Sequence, residues 1–175
     1  MAELRLGTAV PAILVAAAAE QQELVQAEMY ESAAELGSAE AMKRLAVICR
    51  HPASSGDARL VAARTLFSER DHVCFSAVAD MMLPSEKPED RIGAWYLLAQ
   101  LHDRTDQETR LILKRLLPAL SDNDPHLRLE ASTGLRFLHD PSATKPLQAA
   151  IAAESETAVK EQMKGDLASL STAQK

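Results

Sequence analysis

At 175 residues, with a formal net charge of −6 and a pI of about 5.4, the chain can build one continuous core. It carries the wrong overall sign for a nucleic-acid backbone, whose binding needs an excess of Lys and Arg. Apolar residues make up 47% of it but aromatics only 3%, too few for a base-stacking platform. Alanine and leucine dominate and alternating β-branched runs are absent, so the composition predicts an all-α fold, read as a single domain over 1–175.

The first element is an uncharged apolar run over 10–19, closed by Glu20-Gln21-Gln22. It is too short to span a bilayer, which takes about 20 residues. The residues predict a helix over 8–19 with Thr8 as N-cap and Pro11 in its first turn. The alternative is a secretory signal, although Glu3 offsets Arg5 in its basic segment. Breakers then divide the rest: Gly37-Ser38, the 51–56 stretch with Pro52 and Gly56, Pro84 to Pro88, Asp122 to Pro125, and Asp140-Pro141. Between them the pattern predicts helices over 21–36, 39–50, 57–68, 71–83, 88–102, 106–120, 125–138, 142–153 and 156–170. No break is long enough for an interdomain linker. Cys49 and Cys74 match neither zinc spacing nor a dense disulfide framework. They read as buried free thiols, which points to a cytoplasmic protein, with a disulfide between adjacent helices as the alternative.

One phrase recurs along these helices. Arg59, Ala62 and Leu66 are repeated as Arg91, Ala94 and Leu98, and as Arg128, Ala131 and Leu135. A weaker copy holds Lys160, Met163 and Leu167, and the four cations are spaced 32, 37 and 32 residues apart. Two copies share more, since Leu101-His102-Asp103 matches Leu138-His139-Asp140. Repetition at this period marks stacked helix pairs, because neither helix of a pair buries its apolar stripe alone.

The phrase from Asp124-Pro125 through Arg128, Ala131, Leu135 and Leu138 to Asp140 resembles the HEAT repeat. It is similar in particular to the short variety of phycobilisome-lyase-like proteins, with about thirty residues per repeat. The resemblance covers 56–170, while 1–50 fits only as capping helices and a degenerate repeat. It implies a right-handed α-α superhelix whose second helices line a concave surface. It further implies that Arg91, Arg128 and Lys160, with Asp103 and Asp140, tie neighbouring turns together. A carboxylate just beyond a helix suits that role, since it can satisfy orphan N–H groups and pair with a guanidinium.

Catalytic, cofactor-binding and metal-ligating residues are expected to be absent. The deoxyhypusine hydroxylases place His-Glu pairs in such repeats, but here those positions read Leu129-Glu130, Ile92-Gly93 and Leu60-Val61. DNA glycosylases built from similar helices need a basic groove, and the adjacent aromatics Trp95 and Tyr96 sit inside the phrase, where packing claims them. In His102-Asp103 and His139-Asp140 the aspartate reads as a cap for the next helix and the histidine as a partner of the helix C-terminus.

That leaves surface. Off the apolar stripes of the plainer helices stand Lys43 and Arg44, then Phe75, then Arg110 and Lys114, then Lys145. Such a row is ordinarily a solvated face. On an acidic chain it also suits a groove for an acidic or amphipathic segment of another protein, with Phe75 as an exposed anchor. The expected role is therefore a non-enzymatic scaffold or adaptor. The alternatives are a phycobilin lyase subunit or chromophore chaperone, which the repeat variety alone suggests, and an assembly subunit of a larger complex.

Overall fold

The computed structural model describes the backbone of residues 2–172 and the side chains of residues 9–170. Among the described residues there are ten α-helices, one short 3-10 turn and no strand. The helices are α1 (Ala2–Ala19), α2 (Glu23–Glu35), α3 (Ala39–Arg50), α4 (Gly56–Ser68), α5 (Phe75–Asp80), α6 (Pro88–Ala99), α7 (Asp106–Ala119), α8 (Pro125–Leu138), α9 (Thr144–Ala153) and α10 (Thr157–Thr172). They form two compact units, Met1–Asp80 and Met81–Lys175.

In the first unit α1 packs on α2, and α2, α3 and α4 pack on one another. The helix starts lie where the breakers put them. Ser38 Oγ accepts the Ala41 N–H at 3.2 Å, and Ser55 Oγ accepts that of Ala58 at 3.4 Å, each satisfying a first-turn donor. Leu45, Cys49, Ala62 and Leu66 are fully buried between these helices. Two boundaries differ from expectation. Helix α1 begins at Ala2, so Thr8 does not cap it and Pro11 lies inside it. Pro11 has no N–H to donate to the carbonyl of residue i−4, which is Gly7. Helix α5 spans six residues rather than 71–83. Arg70 turns left-handed at φ 60° and Asp71 Oδ1 accepts the Val73 N–H at 3.0 Å, which delays its start. Pro84 then disfavours helical backbone at Leu83 and shortens its end. Cys49 and Cys74 are both buried, as expected, but they are joined in a disulfide with Cα atoms 6.0 Å apart rather than free.

In the second unit alternate helices lie side by side: α6 on α8 and α8 on α10, with α7 against α6 and α8, and α9 against α10. Pro88 and Pro125 occupy first turns, where a missing N–H costs nothing. Thr105 and Glu108 form a capping box at α7, and Asp124 accepts the His126 N–H at 2.8 Å ahead of α8. Trp95, Leu98, Leu116, Leu135, Leu147 and Met163 fill the core. The phrase leucines Leu98 and Leu135 are both fully buried. Gly134 has a packing reason: a Cβ there would stand 3.2 Å from Leu116 Cδ2, so its bare backbone lets α8 approach α7 closely.

Candidate functional site

The recurring cations belong to the frame. Arg59 is buried on α4, where its Nε donates to the Cys49 carbonyl at 3.2 Å and its Nη2 to that of Ala77 at 2.9 Å. Arg91 on α6 pairs with Asp122 at 3.1 Å beyond α7, and its guanidinium lies 5.2 Å from the Trp95 ring centroid. Arg128 on α8 grips Glu154 beyond α9 through two hydrogen bonds and donates to the carbonyls of Asp122 and Asn123. Lys160 reaches the Glu154 carbonyl at 3.0 Å. Each phrase cation thus closes a helix onto a neighbouring turn. The carboxylates gripped by Arg91 and Arg128 are Asp122 and Glu154, which lie outside the His-Asp pairs. Asp140 caps the 3-10 turn Pro141–Ala143 by accepting the Ser142 N–H at 2.8 Å. The Arg128 hydrogen bond holds the Glu154 carboxyl far below its ordinary range, at about 2, against the opposing effect of burial.

A second set of links joins alternate helices. Glu31 on α2 accepts from Arg64 at 3.0 Å and from Thr65 at 3.0 Å on α4. Tyr96 on α6 donates to Glu130 on α8. Asp166 on α10, fully buried, accepts from Ser132 at 2.7 Å and Arg136 at 3.0 Å on α8. Burial, and then the Glu130 carboxylate, push the Tyr96 phenol up to about 12. Sequence reasoning missed these links because Glu31, Glu130 and Asp166 occupy no shared position of the phrase. Their one signal is a spacing of 34 residues from Thr65, Tyr96 and Ser132 respectively, close to the repeat interval.

Both histidines of the phrase lie at helix ends. His139, left-handed at φ 57°, places Nδ1 2.9 Å from the Phe137 carbonyl, and His102 Nδ1 meets that of Gln100. Among the described residues no group of three or more His, Cys, Asp and Glu side chains is arranged to hold a metal ion. A cleft of about 260 Å³ opens between α2 and α4, lined by Glu31, Glu35, Arg64 and Glu69 among others.

The expected interaction residues fall into two groups. Lys43, Arg44, Arg110, Lys114 and Lys145 are all exposed. Arg44 pairs with Glu40 on its own helix at 2.9 Å, which reduces its availability. Arg110 and Lys114 stand one turn apart on a single side of α7, and Lys145 is on α9. Phe75 does not join them. It is 5% exposed, inside the first unit beside His72, so its expected role as an exposed anchor is corrected: α5, wedged against α3 and α4, turns this ring inward. No helix of the described residues is long and apolar enough to cross a membrane. Comparison with protein-family models, with curated proteins and with solved structures finds no match to this chain.

Proposed function

We propose that the protein is a non-enzymatic helical-repeat scaffold or adaptor that captures an acidic or amphipathic segment of another protein. The reading of the fold that accompanies it is a HEAT-like α-α superhelix. It is supported by the side-by-side packing of alternate helices within each unit and by the recurring arginine closures. The observation that carries the function is a contrast between cations. Arg59, Arg91 and Arg128 are drawn into the frame, whereas Arg110 and Lys114 point outward from one side of α7 on a chain of net charge −6. Exposed cations contribute little to folding, so their value lies in steering and orienting an acidic partner.

The test is affinity capture with the intact chain and its Arg110→Glu, Lys114→Glu double variant, with acidic amphipathic peptides as defined ligands. The double variant should lose capture while its melting temperature stays nearly unchanged, and wild-type capture should weaken as salt is raised. Capture that survives charge reversal at moderate salt would remove the α7 face from the proposal.

A further inference from the structure

The disulfide fastens the shortest helix of the first unit. With six residues, α5 is shorter than the length at which helices persist on propensity, so it depends on what it is fastened to. Three fastenings meet there. Cys74, immediately before Phe75, is bonded to Cys49 near the end of α3. Arg59 on α4 bridges the Cys49 carbonyl and the Ala77 carbonyl of α5. Phe75, Val78 and Ala79 are buried. Two of the fastenings converge on Cys49, whose sulfur and carbonyl both serve α5. The approach to the bond on the Cys74 side is a turn in which Glu69, Arg70, Asp71 and Val73 are exposed.

We propose that the Cys49–Cys74 disulfide is a redox latch that holds α5 against α3 and α4, and that its reduction releases α5 while the rest of the first unit stays folded. The chemistry is thiol–disulfide exchange with a cellular thiol or dithiol. One reductant thiolate attacks Cys74 Sγ and expels Cys49 as the thiolate. A second reductant thiolate then breaks the mixed disulfide, leaving Cys74 reduced and the reductant as its own disulfide. Two electrons pass to the cysteines, and each takes up one proton. Release of α5 presents Phe75, Val78 and Ala79, together with the surfaces of α3 and α4 that they cover. The protein thereby acquires an apolar face that the oxidised form conceals.

The test is hydrogen–deuterium exchange of the full chain, oxidised, reduced with a phosphine, and reoxidised with oxidised glutathione. Thiol alkylation in denaturant, read by intact mass, establishes the state of each sample. Amides of 75–80 should exchange on the order of a hundredfold faster after reduction, the size expected from removing a cross-link that closes a loop of this length. Amides of α2 and α4 should hold their protection, and reoxidation should restore 75–80. The Cys49→Ala, Cys74→Ala double variant should reproduce the reduced pattern without any reductant. Unchanged exchange on reduction would overturn the latch, since Arg59 and packing would then suffice. So would loss of protection throughout residues 23–68, which would make the bond a global staple. Two free thiols in air-purified protein would overturn it as well.

Discussion

Arg128 and Glu154 face each other edge to edge, Nε to Oε2 at 2.7 Å and Nη2 to Oε1 at 2.8 Å. The Glu154 side chain is 2% exposed and the Arg128 side chain 15%. The two-point geometry fixes the end of α9 to α8, and the same carboxylate accepts the Glu156 N–H at 2.9 Å ahead of α10.

Arg128→Met should be costly because it strands a buried charge, with a loss of about 3 kcal/mol in denaturant melts. Arg128→Met combined with Glu154→Gln should recover part of that loss, because no ion then lies unpaired. A double variant no better than the single would show that the pair acts only through its size.

Acid stability follows from the same pair. The folded Glu154 carboxyl is depressed from 4.5 to about 2, so its contribution is present above about pH 4.5 and disappears as pH falls toward 2. Wild type should lose stability across that window, and Glu154→Gln should show a shallower acid limb. Parallel curves for the two proteins would contradict the assignment.

The helix frame was legible in the sequence because its punctuation is chemical. Ser38, Ser55, Asp124 and Asp140 cap at the breaks read from the sequence, and Leu66, Leu98 and Leu135 are buried where the period places them, whereas the cap of α7 is Thr105, two residues beyond the Asp103 that the repeated phrase suggests. What could not be read is which carboxylate answers each arginine. Glu154 lies 26 residues after Arg128 and Asp122 lies 31 after Arg91, so no fixed offset announces them. Phe75 was misread for a related reason. The ring faces inward because α5 is short and wedged against α3 and α4, and the left-handed turn at Arg70 that precedes it is signalled by no residue preference, since glycine is the usual occupant.

Phe75→Ala should therefore act on folding. Emptying the position should cost about 3 kcal/mol or more in melts of the oxidised protein. Peptide capture, measured at temperatures where the variant remains folded, should change little. A variant of wild-type stability with impaired capture would return Phe75 to the surface.

Leu98→Ala and Leu135→Ala should each cost about 2–5 kcal/mol, the range for emptying a closed leucine site. The two losses should resemble each other because both residues are fully buried at the same position of the phrase. A neutral result for either would mean that its neighbours can collapse into the space.

Tyr96 provides a spectroscopic check. Its phenol is raised from 10.0 to about 12, so ultraviolet titration should show one tyrosine ionising near pH 12, and Tyr96→Phe should remove that step. The sign is the reverse of that for Glu154: the contribution is intact below pH 10 and fades as pH rises toward 12. Glu130→Gln should bring the step down, because it removes the accepting carboxylate and its charge.

The arginine closures also bear on how the chain comes off the ribosome. Arg59, Arg91 and Arg128 reach partners 18, 31 and 26 residues further along, at Ala77, Asp122 and Glu154. Arg59 and Arg128 also hold carbonyls behind them, at Cys49 and Asp122, but each of the three guanidiniums emerges before the acceptor ahead of it exists, and its set of bonds is complete only when the next segment follows. Assembly thus has a direction. Each newly translated segment supplies an acceptor to the one before it.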